Sequence, residues 1–306
     1  MKKTDQTPFK FESLSEASRF FGLPTPKHPL ISLMNGAHNL VATDKLSQKH
    51  VLSFYKISYK PKLEGRIEYG QGYYDFNEGG LLFAAPGQVI GGNGNSDTVC
   101  SQYSLLIHPD FFLGYPIARK IRQYGFFSYS TKETLHLSEE EKNTVLSIFN
   151  FIESELNSRI DDFSHDVMIS QIELLLTYAN RFYKRQFITR KATSSSLLQE
   201  FEDLLDGYFK DEMSLNKGIP TVSYFAENLH LSPSYLSDML RSLTGQSTQQ
   251  HIHDKLISEA KEMLSTTSLS VSEVAYALGF EHSQSFSNLF KTKTKLSPLE
   301  FRKSFN

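Results

Sequence analysis

Cysteine is almost missing from this chain: Cys100 is the single one in 306 residues. One thiol excludes an intrachain disulfide and fits a reducing compartment. The two lysines of the opening MKKTDQTPFKFES have no apolar run behind them, so no secretory signal is legible. No stretch reaches the apolar length of a bilayer span, and a cytoplasmic protein without a membrane partner is expected. A dominant charge sign is missing as well. The net charge of −2 by itself points to no partner. With 39% hydrophobic and 22% charged residues the composition is that of a folded soluble chain, and its length fits two domains.

The signatures of catalysis are absent too. GGNGNSD, residues 91–97, lacks the spacing of a nucleotide-binding fingerprint, and no helix follows it. There is no nucleophile elbow, P-loop or pair of catalytic carboxylates. A metal-dependent cupin needs clustered histidines with a carboxylate, but His28, His38, His50 and His108 are scattered, and no His-x-His falls on a strand. The His-x-His that does occur, His251 and His253, lies in a helical stretch, where residues two apart point to different faces. Neither a metal, a cofactor nor an enzymatic activity is expected.

What is present falls into two halves. Residues 1–134 are rich in short strand-like runs: HVLSFYKISYK, GRIEYGQGYYDF, GGLLFAAPGQVI and DTVCSQYSLLIHP, each bounded by Gly, Pro, Asn or Asp. Such spacing predicts a small barrel or sandwich. Tyr55, Tyr73, Phe83 and Tyr103 are candidates to line a pocket in it, with His28 or Arg66 as a polar anchor. From 135 to 187 the period becomes helical. Ser138 and Glu141 form an expected capping box ahead of Val145, Ile148, Phe149, Ile152 and Leu156. A second stripe follows from Ser164. Helices over 138–157 and 164–184 would make an antiparallel pair whose stripes are wide enough to cover the barrel and also meet a second copy, so a homodimer is expected. ITRKATSSS, 188–196, is polar and aperiodic and is read as a linker.

The segment 197–306 is helical throughout and internally repeated. In TVSYFAENLHLSPSYLSDMLRSLTG a first helix ends in a turn at His230-Leu231. A second begins after Ser232, with Leu236, Met239 and Leu240 inward. In SVSEVAYALGFEHSQSFSNLFKTKTKLSP, Ser270 and Glu273 suggest another capping box. Gly279 permits a positive φ, and Phe286, Leu289 and Phe290 repeat the inward set. Ile252, Leu256, Ala260 and Leu264 mark a rigid helix between the units. Two such units on one helix would enter successive major grooves, about 34 Å apart. Ten basic and fourteen acidic residues lie beyond position 196, yet His282–Asn306 holds five basic residues against one acid.

These motifs, with LSPSYLSDMLRSLTG, VAYALGF, FSNLFK and LSPLEFRK, resemble the tandem helix-turn-helix domain of the AraC/XylS family of bacterial transcription regulators over about 110 residues. The first part, with FYKISYK and LLFAAPGQV, is similar to the cupin-like sensor domain that many members carry. The resemblance implies a multidomain α+β protein. A cupin-like β-barrel and helical pair would precede an all-α DNA-binding domain, with promoter DNA and a small-molecule effector as partners and RNA polymerase kept open as another. It places one reading face on Ser232, Ser234, Tyr235, Ser237, Asp238 and Arg241. The other falls on His282, Ser283, Gln284, Ser285, Ser287, Asn288 and Lys291, with Lys293 and Lys295 near phosphates. Gln284 and Asn288, one turn apart, suit adenine N6 and N7. Asp238 and Asn288 stand where members often have a basic residue, and Thr294-Lys295 where Phe-Gly is common. Asp238 is expected either to accept from a cytosine amino group or to orient Arg241, so the second, basic unit would carry more of the affinity. Two other readings stand beside this one: a cupin-like metal enzyme with a helical appendage, and a ligand-independent DNA-binding regulator whose barrel is filled by side chains.

Overall fold

Alternating apolar residues build the first of two structural units, Met1–Thr189 and Arg190–Asn306. The computed structural model describes residues 8–36, 48–61, 79–90, 101–130, 133–158, 161, 163–189, 191–211 and 213–304. In the first unit, β1 (Phe9–Phe11) pairs in parallel with β3 (His50–Leu52), which pairs antiparallel with β6 (Val89–Ile90). A five-stranded antiparallel sheet runs in the order β2 (Ile31–Asn35), β7 (Tyr103–Ile107), β4 (Tyr55–Lys60), β5 (Gly80–Ala84), β8 (Leu135–His136). Among the described residues these two sheets do not close into a barrel. The expected strand at GRIEYGQGYYDF and the loop GGNGNSD lie outside the described residues.

Side-chain alternation divides the five-stranded sheet into two faces. Ile57 stands opposite Phe83 on one side and Leu105 on the other, and Tyr59 opposite Tyr103. These residues therefore share one face with Tyr55, and all are buried. The other face carries Lys56, Ser58, Ser104 and Leu106. There Leu106 joins a core with Phe11, Leu52 and Phe54, together with Leu14 and Ala17 of α1 (Leu14–Phe21). That helix starts where Ser13 accepts from the Glu16 amide and stops at Gly22, φ +71°.

The helical pair covers the aromatic face. Beyond a short helix α2 (Ile117–Lys120), α3 (Glu139–Asn157) opens with the expected Ser138–Glu141 capping box, and α4 spans Ser164–Thr189. The ring of Tyr103 stacks on Phe149 of α3 at 5.2 Å, and Phe83 lies 6.3 Å from Tyr183 of α4. Arg185 of α4 binds both oxygens of Glu141, at 2.9 and 2.6 Å, and donates to the His136 carbonyl, so one guanidinium joins both helices and the sheet edge.

In the second unit, α5 (Lys191–Lys210) and α6 (Met213–Lys217) precede the repeat. Residues 188–196, expected as an irregular linker, are instead helical on either side of position 190: Ile188 and Thr189 end α4, and Lys191 begins α5. The segment holds neither Gly nor Pro, so nothing in it stops a helix, and Phe201, Leu205 and Tyr208 supply a buried stripe downstream. Six helices complete the unit: α7 (Val222–Asn228), α8 (Pro233–Thr244), α9 (Thr248–Thr266), α10 (Val271–Ala277), α11 (Ser283–Thr294) and α12 (Pro298–Lys303).

Candidate nucleic-acid interface

Two helix-turn-helix units stand at the two ends of α9. In the first, Thr221 caps α7 by accepting from the Tyr224 amide, and Phe225 and Ala226 are fully buried where α7 meets α8. The chain then turns through His230, φ +56°, and the Leu231 amide donates to the Ala226 carbonyl at 2.8 Å. In the second, the Ser270–Glu273 capping box starts α10, Gly279 turns at φ +87°, and the Phe280 amide donates to the Ala275 carbonyl at 3.0 Å. The second helices of the two units, α8 and α11, also end alike. Thr244 and Thr294 donate to the carbonyls of Leu240 and Phe290, each at 2.8 Å. Gly245 at φ +80° and Lys295 at φ +68° then reverse the chain. Capping boxes Ser247–Gln250 and Ser297–Glu300 start α9 and α12.

The repeat exposes a mismatch at its end. A left-handed conformation costs a non-glycine residue roughly 1–2 kcal/mol, and Lys295 stands where the first unit has glycine. Lys295→Gly is expected to relieve that strain while raising the entropy of the unfolded chain, for a net stabilisation of about 0.5–1 kcal/mol. The check is a raised denaturant midpoint for the unit at unchanged slope; no shift would mean the αL cost is absorbed locally.

The helix starts differ. Ser232 accepts from the Tyr235 amide and closes the N-terminus of α8, with Pro233 just inside. His282 makes no side-chain cap on α11. The turn of the second unit is also one residue longer: Ala226 and Ala275 are 49 positions apart, but Leu236 and Phe286 are 50 apart.

The expected reading faces are placed unequally. On α8, Arg241 is exposed and Ser234, Ser237 and Asp238 are half-buried. Tyr235 is a correction: its ring is buried with Leu236, Met239 and Leu240, because its position in the turn of the helix points into the shared core. Ser237 donates to Thr248 of α9 at 3.1 Å. Asp238 Oδ1 holds Arg241 Nη1 at 2.7 Å, so the aspartate and the cation form a pair on the helix surface. On α11, Gln284, Ser285, Asn288 and Lys291 are exposed, as is His282, with Ser283 and Ser287 half-buried. Lys293 is paired to Asp254 of α9 at 2.8 Å, and Lys295 donates to the Thr292 carbonyl at 3.1 Å. Sequence reasoning missed Asp254; it is one of several acids on α9, and only the fold reveals what it faces.

The remaining candidates are dispersed. His251 pairs with Thr244 Oγ1 at 2.9 Å and His253 with Gln249 Nε2 at 2.8 Å, so the two rings serve separate contacts; burial pushes the pKa of both down. Among the described residues no cluster of His, Cys, Asp or Glu could hold a metal ion, and no helix is long and apolar enough to cross a membrane.

Tyr55, Phe83 and Tyr103, expected to line a pocket, lie instead in the core between sheet and helices, since their register puts them on the covered face. Tyr55 packs on Phe112 and Phe127, and Tyr103 donates to Asn150 at 2.8 Å. His28 accepts from the Leu30 amide and meets Phe111 edge-on; burial and the nearby His165 push its pKa down. Arg66 and Tyr73 lie outside the described residues. On the opposite face, Ser58 and Ser104 form a buried hydroxyl pair at 2.9 Å. A cavity of about 30 Å³, lined in part by Met34, His50, Lys56 and Leu106, holds room for a water or two.

With this geometry in place, comparisons with known proteins add the following. Residues 225–304 match a family described as a helix-turn-helix domain. The chain is 24% identical over 265 residues to the HTH-type transcriptional regulator YfiF of Bacillus subtilis, covering 83% of this chain and 78% of that protein. It is 40% identical over 81 residues to the arabinose operon regulatory protein of Salmonella typhimurium, covering 26% of this chain and only 29% of that protein. Among solved structures, the C-terminal domain of the two-component response regulator yesN from Fusobacterium nucleatum is 31% identical, with a TM-score of 0.30, covering 33% of this chain and 96% of that one.

Proposed function

We propose that this chain, which belongs to the AraC/XylS family of transcription regulators, reads promoter DNA through α8 and α11, with α11 as the dominant reader. One observation supports the reading: the two units share one turn hydrogen bond and the C-terminal threonine bond, yet of the expected reading residues α11 exposes Gln284, Ser285, Asn288 and Lys291 whereas α8 exposes Arg241. Gln284 and Asn288 sit one turn apart with Lys291 beyond them. The unclosed start of α11 leaves amide donors for a phosphate, where the helix dipole adds to the attraction.

Selection of bound duplexes from a random pool by the full chain, followed by anisotropy across a salt series, tests this. The expected result is an enriched motif with two parts about 10–10.5 bp apart and affinity that falls as salt rises. No enrichment at low salt would overturn the reading.

The pair of Asp238 and Arg241 supports a lesser role for α8. A carboxylate that holds its neighbouring guanidinium at 2.7 Å withholds that cation from phosphate. Asp238→Ala is expected to leave sequence preference unchanged and to steepen the dependence of log affinity on log salt by about one, as one further phosphate contact would. Lost preference at a cytosine would instead show that Asp238 reads a base.

We further propose that the first unit is a cupin-like sensor. It would take a small-molecule effector, and it would pair two copies through α3 and α4, where Phe151, Val167 and Leu174 are exposed. The regulator would act in the bacterial cytoplasm, with RNA polymerase as a further partner. The packed state of Tyr55, Phe83 and Tyr103 favours a second reading, a ligand-independent regulator. A thermal-shift screen separates the two, since a ligand of the folded state raises the melting temperature in a concentration-dependent way.

A further inference from the structure

One carboxylate in the second unit serves both reading helices. Asp254 lies on α9, which joins the two helix-turn-helix units. Its Oδ1 accepts from Lys293 Nζ at 2.8 Å, and Lys293 is in the last turn of α11. Its Oδ2 accepts from Gln246 Nε2 at 3.0 Å, and Gln246 follows Gly245, the residue that ends α8. The two oxygens therefore hold the C-terminal ends of both reading helices, one each. Burial pushes the Asp254 carboxyl up, but the Lys293 and Gln246 hydrogen bonds outweigh it and hold its pKa below the ordinary carboxylate value, so the bridge is charged at neutral pH.

We propose that Asp254 is a positioning residue for DNA recognition: by bridging Gln246 and Lys293 it sets the angle between α8 and α11 and thereby the spacing at which the two parts of an operator are read. The inference rests on the reading that both helices face one duplex. In B-DNA one base pair displaces the second part by about 3.4 Å and turns it by about 35°. A protein whose reading helices are clamped must distort itself or the duplex to follow that change. An unclamped one follows by a small rotation about α9. Each arm of the bridge is too exposed to matter much for stability by itself, but together they oppose relative rotation of the two ends. The same contact commits the Lys293 ammonium to the protein, which leaves Lys291 and Lys295 as the lysines at this end of α11 to meet phosphate.

The test uses the full-length protein and the operator recovered by selection, in three forms: native spacing, one base pair inserted between the two parts, and only the part read by α11. Binding is measured by anisotropy for the wild type, Asp254→Ala, Asp254→Glu and Lys293→Ala. The wild type is expected to prefer native spacing by at least tenfold. In Asp254→Ala and Lys293→Ala that preference should fall at least threefold, while affinity for the single part holds or rises in Asp254→Ala, where Lys293 is released to phosphate. Asp254→Glu, which keeps the charge and can reach both partners, should recover most of the preference. An unaltered preference in both Asp254→Ala and Lys293→Ala would overturn the positioning role and leave the DNA-reading proposal intact. A parallel loss on all three duplexes, with a lowered melting temperature, would assign Asp254 to stability and also overturn it. A wild type that enriches no operator would overturn both proposals.

Discussion

Gly279→Ala is expected to abolish DNA binding by unfolding or deforming the second helix-turn-helix unit. Gly279 turns between α10 and α11 at φ +87°, where any side chain is strained. A Cβ there would lie 2.5 Å from the Gly218 carbonyl carbon, 2.8 Å from its oxygen and 2.8 Å from the Ile219 nitrogen. All three atoms are backbone, and that backbone is anchored. The Gly218 carbonyl accepts from Tyr208 Oη at 2.9 Å, and Ser214 Oγ donates to the Ala277 carbonyl at 2.8 Å. Conformational strain of roughly 1–2 kcal/mol and overpacking of roughly 1–3 kcal/mol act together, for a cost of about 2–5 kcal/mol. Gly245→Ala is the matched control: its φ is +80°, but no atom lies within 4 Å of the added methyl, so it should lose about 1 kcal/mol. Chemical denaturation of the two variants, read on the transition of the second unit, separates the clash from the strain. Equal losses would mean that the close approach of residues 218–219 has no energetic weight.

The second large effect is expected at Gln284. Exposed in the first turn of α11, its amide can donate to and accept from the edge of one adenine, with Asn288 one turn further along. Gln284→Ala should reduce discrimination at one base pair by about 1–3 kcal/mol, a factor of roughly 5–150, and leave the other positions as they were. Lys291→Ala should behave in the opposite manner. It would weaken all sequences alike and lower the salt slope by about one, because a phosphate contact carries no sequence information. Competition binding against single-base variants of the operator measures both. A uniform loss from Gln284→Ala would move that residue from the base-reading to the phosphate-contacting set.

Much of the second unit was legible because its signals are local. Ser232 before Pro233, Ser270 with Glu273, and Gly279 after a buried alanine each announce a helix boundary within three or four residues, and the structure has a cap or a turn at each. Tyr235 was misplaced because it neighbours true surface positions, and one residue along a helix is a rotation of about 100°. The turn at His230-Leu231 was legible, but not that His230 takes the left-handed conformation, which a histidine signals far less strongly than the glycine at the matching position 279. In the first unit the strands at 55–60, 80–84 and 103–107 were readable, but not which face each aromatic occupies, because that depends on the register between strands far apart in sequence. Pairs such as Lys293–Asp254 and Arg185–Glu141 span about 40 residues, and no local pattern encodes them.

The one-residue difference in the two turns bears on how this protein can be rebuilt. Helices α8 and α11 look interchangeable, since each is twelve residues long and they end in the same chain reversal. A graft of α11 into the place of α8 that is aligned on the buried alanines, at an offset of 49 positions, would put Ser285 where Leu236 stands and turn the whole outward face by about 100°. Aligned on the helix starts, at an offset of 50, the graft puts Phe286 in the place of Leu236 and keeps the outward face. Chimeras made at the offset of 50 should keep the donor's sequence preference; chimeras made at the offset of 49 should bury a serine in place of a core leucine and bind no defined site.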